Sequence, residues 1–182
     1  MDARFFDRDP AKVAKELIGA VLMRKIGSST YQGRIVETEA YYASGDPASR
    51  AREGPKNYNR PMFDGAGHLF VYNVHQYWML NFTARPASAV LIRSVEPLNF
   101  KGNPSGPGRL TVTLKIDKSL NGHPIHKSSG VWLEDGSPPD EVARSFRIGV
   151  TKDLPIPLRF FDPASGWVSA TRKPVLIESF TG

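Results

Sequence analysis

Gly33 to Tyr42 reads GRIVETEAYY, and the alternation in this stretch decides the fold. On a β-strand, side chains two apart share a face. Ile35, Glu37, Glu39 and Tyr41 therefore line one side, and Val36, Thr38, Ala40 and Tyr42 the other. Both acids sit beside an aromatic rather than among lysines, in a segment rich in the residue types that suit a sheet interior. Burying a carboxylate is costly unless it is paired or used in chemistry. For Glu37 the ordinary reading is an ion pair with an arginine such as Arg34. Glu39 is the candidate for chemistry.

Upstream, VLMRKI reads as a strand and GSST as a turn, so the acidic strand is the antiparallel partner of a hairpin and is central in its sheet. Before it, Asp9 can cap a helix that Pro10 starts, with Val13, Leu17, Ile18 and Val21 forming its apolar side. Downstream, Ala43 to Gly67 is polar and glycine-rich. A connection of this length is usually functional or disordered, and this one carries the basic cluster Arg50, Arg52, Lys56 and Arg60, so a functional loop is expected. HLFVYNVH and YWMLNFT then form a tight hairpin with His75 and Gln76 at its tip. A bulky group on a protruding tip can act as a wedge between base pairs, although a lone histidine there is ordinarily a turn residue. Tyr72 on the hairpin is a natural stacking platform, although a single tyrosine is ordinarily core.

AVLIRSVEP is the next strand. Arg93 lies in its apolar middle and needs a partner. NFKGNPSGPGRL has neither a phosphate loop nor a dinucleotide fingerprint, and Pro107 starts a helix. Short strands are expected at VWLE, FRIGV, PLRFF, WVSA and PVLIE. The sum is an α+β fold, a mixed but largely antiparallel sheet with few helices, and 182 residues make one domain over positions 1–182.

Composition narrows the function. With 40% hydrophobic and 23% charged residues, the chain is an ordinary soluble protein, and no apolar run approaches the length needed to cross a bilayer. MDARFFDRDP lacks a basic segment followed by an apolar core, so no secretory signal is visible and a cytoplasmic location is expected. There is no cysteine and only four scattered histidines, so no metal or other cofactor is expected. The net charge of +6 and pI near 9.7 point to a polyanionic partner. An acid beside aromatics, a basic loop and a protruding hairpin together fit an enzyme that draws a base out of a duplex. They do not name the base.

The chain resembles the alkyladenine (3-methyladenine) DNA glycosylase family. The likeness runs in order through FFDRDPAKVAKELIGAVL, RIVETEAYYASGDPAS, MFDGAGHLFVYNV, VLIRSVEPL, SGPGRL, VWLE, PLRFF and GWVS. It implies a curved sheet like that of the tRNA-binding C-terminal domain of methionyl-tRNA formyltransferase. It also implies a monofunctional hydrolase, a monomer sufficing, that flips damaged purines such as 3-methyladenine or hypoxanthine from double-stranded DNA and leaves an abasic site. In that likeness Glu39 is the general base, opening into the base cavity, and the backbone of Arg93 helps to hold the attacking water. Tyr41 and Tyr72 sandwich the base, Asn81 discriminates against a 2-amino group, and Met62 lies near the DNA backbone. With the basic residues Arg52, Lys56 and Arg60, His75 completes the expected DNA contacts.

Three departures stand out. Arg50 replaces the family's pocket histidine. His75 stands where a wedge tyrosine is usual in a hairpin one residue shorter, which leaves Gln76 and Tyr77 as rival wedges. The linker between Pro97 and Ser105 is also short. The alternatives from other classes are a catalytically silent nucleic-acid-binding module and a carbohydrate hydrolase using both glutamates. Same-face strand neighbours point in parallel rather than across a scissile bond, which disfavours the second.

Overall fold

The structure is a computed structural model that describes residues 1–169 and 175–179. In it, Ser29–Tyr41 form one strand, β2, long enough to serve three others. Val21–Ile26 (β1) pair with its first half, joined to it by a turn at Gly27. Beyond that, Arg159–Phe161 (β8) take over the same edge at Glu37–Glu39, while Ala89–Pro97 (β5) run along the opposite edge from Gly33 to Tyr41. The sheet is completed by Leu69–Val74 (β3), Tyr77–Thr83 (β4), Val131–Glu134 (β6), Glu141–Ser145 (β7) and Val175–Ser179 (β9). Its order is β3-β4-β5-β2-β8-β7-β9, with β1 and β6 branching from β2. Every pairing between described strands is antiparallel, which corrects the expected mixture. The acidic strand is central, as its composition indicates.

The simple alternation of β2 holds from Glu37 onward and fails before it. Ile35 faces Val95, but Glu37 faces Ser94 and Thr38 faces Ile92, so the ladder passes over Val36 and Arg93. Such irregularities re-aim side chains. Ile35 accordingly joins Ala40, Ile92 and Val95 in the main core instead of sharing the face of the acids.

Helix Pro10–Glu16 (α2) covers the back of the sheet. Asp9 accepts from the amides of Ala11 and Lys12, as its position before Pro10 suggests. Val13, Ala14, Leu17 and Ile18 are buried, and Thr38 Oγ1 donates to Ala14 O at 2.8 Å. The helix stops short of Val21. The chain reverses at Gly19, with φ +95°, where a Cβ would stand 2.6 Å from Pro138 Cα, and Val21 begins β1 instead. Each large apolar side chain in this core contributes about 1.5–3 kcal/mol. A second, smaller cluster on the other face joins Ala51, Met62, Phe70 and Ala89.

The long polar connection is ordered. It contains a 3-10 turn at Asn57–Asn59 and helix Pro61–Asp64 (α3), after the N-terminal Ala3–Phe6 (α1) and α2. Asn59 holds it together by donating to Arg50 O and Gly54 O. Near the end of the chain two expected strands are corrected. Glu141–Ser145 pair, whereas all of FRIGV is the connection that follows. Trp167 to Ser169 are not strand, and Ala170 and Pro174 lie outside the described residues.

The hairpin of β3 and β4 turns on His75 and Gln76, with His75 at φ 53°. Helix Pro107–Thr113 (α4) braces it. Thr111 Oγ1 donates to Trp78 O at 2.8 Å, and Gly108 gives Tyr77 its seat, since a Cβ there would lie 2.8 Å from Tyr77 Cγ. Gly108→Ala should therefore overpack this contact, costing about 1–3 kcal/mol. Thermal unfolding would check this, with a drop of roughly 2–4 °C expected per kcal/mol at this size.

Candidate active site

The acids of β2 rest in a layer of buried charge. Glu37 is fully buried. Its Oε1 accepts from Arg93 Nε at 2.8 Å, Arg159 Nε at 2.7 Å and Ser169 Oγ at 2.8 Å, and its Oε2 from the Ser169 amide at 2.8 Å. Burial pushes the carboxyl up, but the charges of Arg93 and Arg159 with these hydrogen bonds outweigh it and hold Glu37 below the usual carboxylate range. The ordinary reading of Glu37 thus stands, with a different partner. Arg34 is engaged elsewhere, with Glu96 and Asp162.

Arg93 reaches in both directions along the strand. Its Nη1 lies 3.3 Å from Glu39 Oε2, beyond the bond from Nε to Glu37. Those two carboxylates hold its guanidinium firmly protonated against the pull of burial. Glu39 itself is 0% exposed. Its Oε1 accepts from the Ile148 amide at 2.7 Å and its Oε2 from the Tyr41 hydroxyl at 2.8 Å. Burial, reinforced by Glu39, keeps that hydroxyl protonated well above the ordinary tyrosine range.

Above this layer opens a cavity of about 590 Å³. Tyr41, Leu91, Arg93 and Ile148 form its inner wall, Tyr72, Val74 and Met79 its hairpin side, and Ala48, Arg50 and Arg52 its loop side. Gly149 to Lys152 and Pro107 complete it. Arg50, Arg52, Arg93 and Lys152 line it, and no acidic side chain does so among the described residues. A positively charged, aromatic-walled cleft suits a nucleotide, whose base stacks and whose phosphates need cations.

The expected site residues divide in two. Tyr41, Tyr72, Arg50, Arg52 and Arg93 meet at the cavity. Arg50 places its guanidinium 4.9 Å from the Tyr72 ring centre, and Phe70 packs against the same tyrosine with ring centres 4.9 Å apart. Glu39 does not open into the cavity as expected; it lies directly behind the wall made by Tyr41, Arg93 and Ile148. Asn81 also stands back, its amide donating to Phe70 O and Met79 O. Lys56 and Arg60 lie further out, paired with Glu53 and Asp64. His75 is exposed at the hairpin tip, while Tyr77 leans back on α4. Met62, expected near the DNA backbone, is 1% exposed and packs in the second cluster.

Sequence reasoning missed Arg159, Arg147, Ile148 and Lys152. Arg159 carries the same signal as Arg93, a cation within an apolar run, and its guanidinium lies 4.1 Å from the Phe161 ring centre. The others fall in FRIGV and just beyond, which resembles a strand by composition.

Comparison with known proteins turns this geometry into a family assignment. A family model described as methylpurine-DNA glycosylase matches residues 4–165. The chain belongs to that family of DNA glycosylases. Its relatives include proteins named "Putative 3-methyladenine DNA glycosylase" from Aeropyrum pernix, 38% identical over 92% of each chain, and from Mesorhizobium japonicum, 37% identical over 90% of this chain and 87% of the relative. A third, from Methanoculleus marisnigri, is 34% identical over 93% and 98%. No helix among the described residues is long and apolar enough to cross a membrane.

The charge layer carries a pH signature. A carboxyl held low in the folded state stabilises above its unfolded value, about 4.3 for glutamate, and that stability is lost as pH falls through the lower folded value. Glu37→Gln should leave Arg93 and Arg159 undercompensated and cost about 3–5 kcal/mol at pH 7. It should also flatten the loss of stability below about pH 4. Denaturant unfolding from pH 3 to 7 measures both.

Proposed function

We propose that the protein releases damaged purines, alkylated or deaminated, from double-stranded DNA by hydrolysing the N-glycosidic bond, with Glu39 activating the water. The observation that carries this reading is the buried carboxylate of Glu39 set directly behind a cationic cavity walled by Tyr41 and Tyr72. A purine everted into that space would stack on the two rings, each contact contributing about 1–3 kcal/mol. That is comparable with the few kcal/mol that extrusion costs, which is lower for damaged bases. Arg52, Lys56 and Arg60 approach the phosphates, and His75 at the tip enters the stack.

In the chemical step, water adds to the anomeric carbon as the bond to the purine nitrogen breaks, and the bonding electrons leave with the base. Glu39 takes the proton that the water sheds. For this Oε2 exchanges the Tyr41 hydroxyl for the water, in keeping with the rule that catalytic hydrogen bonds form fully only in the complex. Arg93 supports the reading twice. Its guanidinium orients Glu39, and its place at the ladder irregularity leaves its main chain beside the wall. No side chain is required as a nucleophile, so the strand itself stays intact.

Glu39→Gln keeps the shape and removes the base. Release of every purine in a panel of singly modified duplexes should fall by at least about a hundredfold, with duplex affinity kept, as scored by abasic-site formation and by binding. Unchanged release would end the assignment of Glu39 as the base, whereas binding of every duplex with no release by the unaltered protein would leave a binding module.

Arg50 sets the preference within the panel. Guanidinium donates hydrogen bonds and accepts none, so it favours the carbonyl of hypoxanthine and repels cationic 3-methyladenine. Hypoxanthine should be released faster, and Arg50→His should shift the ratio towards 3-methyladenine by about tenfold, the effect of 1.4 kcal/mol. Faster release of 3-methyladenine by the unaltered protein overturns the assignment.

A further inference from the structure

Arg147 is fully buried beside the site but outside the cavity wall. Its Nη1 and Nη2 grip Asp46 at 2.7 and 2.8 Å in a two-pronged pair. Its Nε and Nη2 both reach Asp153 Oδ1, at 2.9 and 2.6 Å. Nη1 also donates to the main-chain oxygen of Ala40 at 3.0 Å, between Glu39 and Tyr41 on β2. Finally, its guanidinium carbon lies 4.5 Å from the ring centre of Tyr41. A planar, permanently charged fork suits this many simultaneous contacts in a way that lysine does not.

The placement of these contacts is informative. Glu39 Oε1 takes its bond from Ile148 N, the residue that follows Arg147, and Oε2 takes its bond from the hydroxyl of Tyr41, the ring beneath Arg147. Each oxygen of the carboxylate is therefore met by a donor that Arg147 holds. Asp46 extends the grip, since it also accepts from the amides of Tyr42 and Ala48 and so fixes the loop on the cavity's far side. An arginine serving packing alone could join Asp46 to Asp153 anywhere in the core.

We propose that Arg147, clamped by Asp46 and Asp153, is a positioning residue for Glu39, setting the direction of its carboxylate through the Ile148 amide and the Tyr41 hydroxyl. This rests on the reading of Glu39 as the base. It adds a role for a residue that touches neither the base nor the water. Loss of the clamp lets the 146–153 connection shift and the carboxylate turn, and misplacement on the scale of an ångström slows a reaction far more than it weakens binding.

The test uses the full chain and the duplex whose modified purine the unaltered protein releases fastest. Single-turnover release, duplex affinity and thermal unfolding are measured for Arg147→Lys and Asp153→Asn, each alone and combined with Glu39→Gln. Asp153 is partly exposed, with 17% of its side chain accessible, so Asp153→Asn decides if Arg147→Lys does not fold. The expected result is release about tenfold to a hundredfold slower, unchanged affinity, and no further slowing in the Glu39→Gln background, because both changes act through one carboxylate. Full-speed release by Asp153→Asn overturns the proposal, as does a loss that multiplies in the Glu39→Gln background or one confined to affinity. Full release by Glu39→Gln alone would instead remove the base itself from the mechanism, and this role with it.

Discussion

Two carboxylates on one strand are held out of water by guanidinium groups from other parts of the chain, and the sheet is arranged to deliver them. Arg93 comes from β5 and stands between Glu37 and Glu39; Arg159 comes from β8 and closes on Glu37 from the other edge. Removing such charges from water costs several kcal/mol per ion, and their attraction only roughly repays it. Well-packed apolar residues would serve stability as well. What the layer does provide is one fixed geometry for Glu39 beside the cavity.

The irregular register between β2 and β5 is what allows this. A regular ladder would place Glu37 opposite Arg93 and keep Ile35 on the acids' face. Skipping Val36 and Arg93 sends Ile35 into the core and changes strand partners on the far edge of β2, from β1 to β8. The same few residues therefore separate the packed half of the sheet from the half that lies behind the cavity. Helix α2 can then cover one face completely, while loops from distant parts of the chain converge on the other.

Much of this was legible in the sequence. The alternation in GRIVETEAYY marks a central strand because burial on both faces needs its mixture of aliphatic and aromatic residues. Asp9-Pro10 marks a helix start because capping is local chemistry. The hairpin is legible for the same reason, since its two strands are adjacent in the chain. What failed depended on distance. FRIGV looks like a strand until Arg147 is seen to be held by Asp46, about a hundred residues earlier. Nor does any local pattern show that Tyr41, Arg93 and Ile148 close over Glu39, because that wall is assembled from three separate segments.

The basic connection between β2 and β3 has a quieter property. Its outward cations already rest on nearby anions: Arg52 and Lys56 on Glu53, and Arg60 on Asp64. These surface pairs add little to stability, but they restrict long side chains that would otherwise sample many rotamers. An arriving polyanion then replaces one negative partner by another instead of immobilising loose chains, so part of the entropic toll of association has been met beforehand. The field of this loop at a distance is correspondingly smaller than its cations alone would give, and attraction grows as the exchange begins.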